Sequence, residues 1–568
     1  MGGAVEAGVG SDKAAMIRRQ KLSGPSGPAG LVANKKVAGI AVFACLGGFL
    51  YGYNQGVFSG VLAMNSFERH MGEAVTNSTQ KGWLTAILEL GAWVGTLYSG
   101  ILCERISRKY TIIVNCAIFI IGVVVQLASV KGGPSCILGG RFITGMGVGS
   151  LSMAVPMYNA EVAPPEVRGS LVGLQQFAIT AGIMISFWID YGTNYIGGTG
   201  DSQKDAAWLL PLALQLAPAV LLGVGMIFMP FSPRWLCHHD REEDAVNTLA
   251  SLRSLPKDHE LITLEFLEIK SQSLFEKRTL EAKFPGLSSR TDWSATIQLE
   301  AKNFGSLFST WPMFKRVIVS TVTMFFQQFT GINAILYYAP SIFKQLGQDS
   351  NTTSLLATGV VGIVMFIATI PAVLWIDKAG RKPILIAGAI GMALCHFIIA
   401  IIFSQFEDRW DTNKAAGWGA VAMVWLFVVH FGYSWGPCAW ILIAEVWPLS
   451  NRAKGIALGA SANWMCNFII GQVTPDMLEN LKYGTYIFFG IFTTMGALFI
   501  AFFVPETKQL SLEEMDHIFG SVGVAAQDFE RQAAINQEIG LDDLIARMGN
   551  ESSTNGSTHE KSAVHTVE

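Results

Sequence analysis

The sequence predicts an all-α, polytopic membrane protein of twelve transmembrane helices arranged as two six-helix halves. Three observations carry this reading. Charged residues make up 15% of the 568-residue chain and mean hydropathy is +0.39, against about 25% charge in ordinary soluble domains. Apolar windows of about 20 residues, long enough as helix to cross roughly 30 Å of hydrocarbon, recur along the chain. Two charge motifs each occur twice, once on either side of a long hydrophilic stretch.

The N-terminal segment 1–36 is polar or small-residue chain. It precedes an apolar window too long for the core of a cleavable leader, so that window is read as the first span. Spans are predicted near 37–58, 82–102, 111–130, 136–158, 171–190 and 207–230, giving a first half over 37–230. A second half over 317–504 has spans near 317–340, 355–376, 384–404, 418–443, 455–475 and 484–504. Continuous runs such as "YTIIVNCAIFIIGVVVQLA" exclude the alternation a β-barrel needs.

Lys and Arg cluster before the first span, between the second and third ("CERISRKY") and between the eighth and ninth ("DKAGRKP"). All fall on one side of an even helix count, which predicts cytoplasmic termini in a plasma-membrane protein. The middle loop 231–316 and the tail 505–568 then lie inside as well. The loop carries apolar residues at helical spacing beside charges, so short amphipathic helices are expected there. The tail is expected to be largely disordered.

Sequons at Asn77 and Asn351 fall in outer loops and are the expected glycosylation sites, whereas Asn550 and Asn555 lie in the tail as chance matches. The eight cysteines show no paired metal spacing and read as small buried hydrophobes. No phosphate loop of the GxxxxGK[ST] type and no acid/base or nucleophile constellation occurs. ATP-driven pumping, enzymatic chemistry, a cofactor, a metal site and a nucleic-acid partner are therefore not expected.

The first repeated motif is "CERISRK" against "IDKAGRK", aligning Glu104, Arg105, Arg108 and Lys109 with Asp377, Lys378, Arg381 and Lys382. The second is "EVAPPEVRG" against "EVWPLSNRAKG", aligning Glu161 and Arg168 with Glu445 and Arg452. Parallel halves are one repeat plan of secondary transporters. These inner-end charges are expected to act as gates, closing the cytoplasmic side when the outside is open.

The stretches "GRFITGMGVGS", "PMYNAEVAPPEVRGSL", "SPRWL", "QQFTGINAILYY", "DKAGRK", "GYSWGPCAWILIAEVWPLSNRAKG" and "VPETKQLSLEEM" resemble the major facilitator superfamily. Within it they are similar to the sugar porters, in a fungal style, over nearly all of 35–510. The resemblance implies a monosaccharide site built from Gln176, Gln327, Gln328, Asn333, Trp440, Asn463 and Asn467. The residues support this directly, because amides are costly in hydrocarbon unless they face protein or water. Each amide also donates and accepts, as sugar hydroxyls do. Gly331 is expected to break the seventh span, and Tyr337 and Tyr338 to close over the substrate at its outer end.

Many proton-coupled relatives carry Asp at the position matching Asn54, near the arginine matching Arg141. Asn54 cannot titrate, so the sequence favours downhill sugar transport by alternating access. Proton symport is the alternative, with Glu89 in "ILELGAWVG" as the candidate proton site; Asp190 and His430 lie nearer helix ends. A non-transporting sugar sensor is a third class, disfavoured by the short tail. The expected partners are a small-molecule sugar, protons in the symport reading, and membrane lipid, with the monomer as the functional unit. Two departures from the family pattern are Phe231, where Glu is usual, and Met365, where many relatives have a sugar-contacting Asn.

Overall fold

The computed structural model describes residues 34–548, apart from 165–166, 289–291, 349, 509, 511 and 521–523. The regular structure among the described residues is helical. The first half contains α1 (Lys35–Val61), α2 (Ser78–Arg105), α3 (Arg108–Leu127), α4 (Pro134–Val162), α5 (Arg168–Thr193) and α6 (Ala206–Phe228). The intervening stretch forms α7 (Glu242–Arg253), α8 (Glu260–Lys283) and α9 (Trp293–Ser306). The second half contains α10 (Trp311–Phe329), α11 (Ile332–Gln345), α12 (Asn351–Ala379), α13 (Arg381–Phe406), α14 (Lys414–Tyr433), α15 (Trp435–Glu445), α16 (Arg452–Asn480) and α17 (Gly484–Phe503). Two tail helices follow, α18 (Leu512–Phe519) and α19 (Val524–Glu538).

Eight segments among the described residues are long and apolar enough to cross a membrane: α1, α2, α3, α6, α12 to Pro371, α13, α14 with α15, and α17. The other long helices, α4, α5, α10 with α11, and α16, carry more Gly, Ser, Thr, Asn and Gln. Their polarity is met by neighbouring helices instead of lipid.

Glycine sets the closest of these contacts. A methyl on Gly52 of α1 would lie 1.9 Å from the Ile179 carbonyl oxygen of α5, and one on Gly56 would lie 1.9 Å from Ser186 Oγ. The glycine-rich run of α1 therefore exists to seat that helix on α5.

The repeat is visible in the backbone. Ser107 before α3 has φ 94°, ψ 156°, and Gly380 before α13 has φ 92°, ψ 155°. The same left-handed turn is made once by glycine and once by a serine that carries the steric cost. Ser107 Oγ accepts from the Tyr110 amide (3.2 Å), which offsets part of it.

The long second-half helices break at two places. Gly331 (φ +89°) separates α10 from α11. Ser434 (φ −120°, ψ −91°) separates α14 from α15, where Pro437 lacks the N–H that would have bonded the Tyr433 carbonyl.

The tail departs from expectation. Disorder was expected over 505–568, yet 524–538 and 541–548 are helical. The reason is packing against α8: Arg278 forms two bonds to Glu538 (2.7 Å each), and Ser271 Oγ donates to Asn536 Oδ1 (2.5 Å). Leu264 buries with Leu541 and Met548. Asn550 and Asn555 lie outside the described residues.

Candidate functional site

The break at Gly331 assembles the site. Gln328 and Asn333 would point roughly 140° apart on one straight helix, but across the break Asn333 Nδ2 donates to Gln328 Oε1 (2.5 Å). Gln328 Nε2 donates to Asn463 Oδ1 (3.1 Å), and Asn463 Nδ2 donates to Gln327 Oε1 (2.5 Å). Gln327 Nε2 ends the run on the carbonyls of Trp435 (2.8 Å) and Gly436 (3.3 Å). The first half joins through Gln55 of α1, whose Nε2 donates to Asn333 Oδ1 (3.3 Å). All five amides are buried.

A carboxylate sits beside this chain. Glu89 of α2, 1% exposed, accepts from the Tyr337 hydroxyl (2.7 Å) and from Asn467 Nδ2 (2.9 Å). The Tyr337 hydroxyl oxygen also lies 3.1 Å from Asn467 Oδ1, an alternative acceptor for its single proton, closing a triangle between the halves. Tyr338 is turned to the Gly471 carbonyl (2.6 Å).

Arg141 of α4 donates to the Thr85 carbonyl (2.9 Å), one turn from Glu89, and lies 3.8 Å from the Phe58 ring centroid. A carbonyl and a ring face thus hold the guanidinium, while Glu161 pairs with Arg108 and Glu445 with Arg381. Asn54 is buried, and its Nδ2 reaches only its own helix, at the Leu50 carbonyl (3.3 Å).

Residues 40–519 match the family model described as sugar (and other) transporter. The chain belongs to that family. It is therefore a major facilitator transporter of the sugar class, working by alternating access, and not an enzyme. The chain is 32% identical over 500 residues to a probable quinate permease of Aspergillus fumigatus, covering 86% of this chain and 88% of that protein. It is 33% identical over 500 residues to a high-affinity glucose transporter of Kluyveromyces lactis, covering 84% of each. Among solved structures, the proton:xylose symporter XylE bound to 6-bromo-6-deoxy-D-glucose matches with TM-score 0.66 and 29% identity, over 85% of this chain and 99% of that one. The partially occluded inward-open form of XylE from E. coli matches with TM-score 0.67 and 28% identity, over 84% and 100%.

In this sugar-class transporter the repeated charges form two matching clusters. Arg108 binds Glu161 (2.9 Å), which also accepts from Ser232 (2.5 Å); Arg381 binds Glu445 (2.8 Å), which also accepts from Thr507 (2.5 Å). Each cluster ties helices within one half. Between halves on this face, Lys454 pairs with Glu300 and Arg105 bonds Thr296, both through α9. Glu104 offers its carbonyl to Trp235 Nε1 (2.8 Å), Lys109 reaches the Ile227 carbonyl (2.8 Å), and the amides of Arg381 and Lys382 are capped by Glu506 (3.0 and 3.1 Å). Arg452 opens α16 within electrostatic reach of Glu445. The side chains of Arg168 and Asp377 lie outside the described residues.

Other expected residues are less engaged. Gln176 is half-buried on α5, and no hydrogen bond among the described residues ties its side chain to the amide chain. Trp440 packs on Met324, Ala439 and Ile443. Phe231, in place of the usual Glu, puts its ring 4.9 Å from Lys109 Nζ, a cation–π contact. Met365 is buried. Asn77 is exposed and caps α2 through Gln80 N (3.0 Å), while Asn351 donates to Asn65 Oδ1 (3.3 Å).

The sequence reading missed Gln55, Ser232, Glu506 and Thr507 as members of these networks. Gln55 adjoins Asn54 in the glycine-rich run, and the others stand in the family stretches "SPRWL" and "VPETK", so the signal was present.

Proposed function

We propose that this chain is a monosaccharide/proton symporter, taking a hexose or xylose, with Glu89 as the proton-carrying group. The observation that carries this is the Glu89 bridge: a first-half carboxylate held by Tyr337 and Asn467 of the second half, next to the amide chain. An ionised carboxylate only accepts hydrogen bonds, and both partners donate to it. When the halves part, Glu89 loses both donors and meets water; when they close, it is desolvated again. A group whose surroundings change this much between states exchanges its proton with the cycle.

Asn54 remains unable to titrate, but the inference of uniport from it assumed that the carboxylate must stand on α1. Glu89 on α2 supplies one instead, and the likeness to a proton:xylose symporter supports the coupled reading. The five amides carry no net charge, which suits a neutral polyhydroxy substrate better than an anionic one such as quinate.

In this reading α4, α5, α10 with α11, and α16 also cross the bilayer, giving twelve spans in two six-helix halves, 37–230 and 317–504. The termini, the middle loop 231–316 and the tail are cytoplasmic in a plasma-membrane monomer, with Asn77 and Asn351 outside as glycan acceptors. The charge clusters gate by bracing each half as a rigid body. Gln176 and Trp440 face sugar when the cavity opens.

The test is uptake of D-glucose and D-xylose, with quinate as competitor, in transport-deficient yeast in lightly buffered medium. Sugar-induced alkalinisation is expected, and Glu89→Gln should abolish uncoupler-sensitive accumulation while sparing exchange. Accumulation-free uptake with no pH change would return the chain to facilitated diffusion.

A further inference from the structure

A second buried carboxylate takes no part in the site above. Asp190, near the C-terminal end of α5, is 0% exposed, and neither of its oxygens has a hydrogen-bond partner among the described residues. It is pressed against α1: a methyl added to Gly60 would lie 2.4 Å from Asp190 Oδ2. This contact continues the series at Gly52 and Gly56, so α1 and α5 meet too closely there to admit solvent between them.

The elements packed around Asp190 bring no countercharge. On α1 the titratable side chain within its reach is Tyr53, whose hydroxyl is committed to the Pro211 carbonyl of α6 (3.0 Å). α6 itself carries no titratable residue. α12 meets α5 through Gly359 on Trp188 and Gly362 on Met184, and its stretch to Pro371 is likewise without one. Arg141 of α4 stands over Phe58, and residues two apart on a helix point roughly 200° apart, so it lies on the other side of α1 from Gly60. On α5, Tyr191 and Tyr195 bond each other (3.1 Å).

Among the described residues the Gly60 backbone amide is the one donor group that acts on Asp190, and an ionised carboxylate without water or cation is far costlier than its neutral acid. We infer that Asp190 is a proton-binding site separate from the sugar site, and that it keeps its proton whenever the C-terminal half of α1 is seated on α5. Losing that proton forces α1 away from α5 so that water can reach the charge. α1 also carries Gln55, so the state of Asp190 bears on how the first half meets Asn333. The inference rests on the transport reading only for its functional consequence.

The first experiment needs no substrate. Infrared spectra of the purified full-length protein at pH 7.5 are expected to show a protonated-carboxyl C=O band that is lost in D190N and in the second neutral variant D190S, and kept in E89Q. Spectra of D190N and wild type that superimpose there would overturn the proposal. Loss of folded protein in both neutral variants would also overturn it, since a neutral side chain is what the packing is said to require.

The second experiment follows exchange of labelled D-glucose and D-xylose in proteoliposomes with equal pH on both sides. In the E89Q background, which removes the other titrating group, exchange should fall with rising pH, by up to about tenfold per unit once the single remaining group titrates, while E89Q/D190N stays flat; matching profiles would overturn the role. If neither sugar moves, the transport reading fails while the infrared result still decides Asp190.

Discussion

At the level of single residues, what a position tolerates follows from what its side chain would meet. Gly52→Ala puts a methyl 1.9 Å from a backbone oxygen of α5 that has no rotamer by which to escape. Overpacking of this kind costs about 1–3 kcal/mol or more, so the variant should lose most of its monodisperse protein in detergent. Gly39→Ala on the same helix meets nothing within 4 Å and should gain about 0.5–1 kcal/mol from helix propensity. Comparing their melting temperatures by fluorescence-detected size exclusion checks both. From the sequence, the amides were recognisable because polar side chains in apolar windows need a reason. Their pairing was not, because the order Asn333–Gln328–Asn463–Gln327 depends on three helices meeting at one depth.

Among the helices, the layer formed by the middle loop and the tail is where ionisation governs stability. Burial first, then Lys277, the neighbouring His239, Arg108 and Arg234, push His238 down to about 4 from the ordinary 6.5. The folded state therefore binds this proton less readily than the unfolded chain does, and stability falls as pH drops from about 6.5 towards 4. His238→Gln should remove that part of the acid sensitivity. Proteolysis of the 231–316 region at pH 5 and pH 7 measures it: the wild type is expected to be cut faster at pH 5, with the difference reduced in the variant. Charge and amphipathic spacing point to short helices in the loop, in the stretches where α7 and α8 lie. They did not reveal α19, which packs on α8 through Arg278 and Ser271.

For the whole molecule, the two halves are fastened on the face opposite the middle loop. Thr79 of α2 donates to Asp476 of α16 (2.9 Å), Ser78 bonds the same carboxylate, and Lys81 Nζ donates to Ser341 Oγ (3.1 Å). Gly82 lets the backbones approach until an added methyl would lie 2.3 Å from the Gln472 carbonyl oxygen. The Arg108–Glu161 and Arg381–Glu445 pairs, by contrast, stay within halves and do not latch one to the other. Asp476→Ala should then release the fastened face, raising the labelling rate of a cysteine introduced near Gln55 by a reagent that enters from that face. Unchanged labelling would show that the backbone contact at Gly82 is sufficient by itself.

The sequence alone determined that the chain is a helical membrane protein, that its two parts repeat, and that amides and one acidic residue sit where lipid would reject them. These are properties of composition and spacing, which a linear chain carries in full. Only the tertiary structure decided that Glu89 bridges the halves, that the repeated charges brace each half internally, and that Asp190 stands without a countercharge. Each depends on distances between residues far apart in the chain, and such distances are set by how helices pack: at glycine contacts, and at the Gly331 and Ser434 breaks that turn side chains out of helical register.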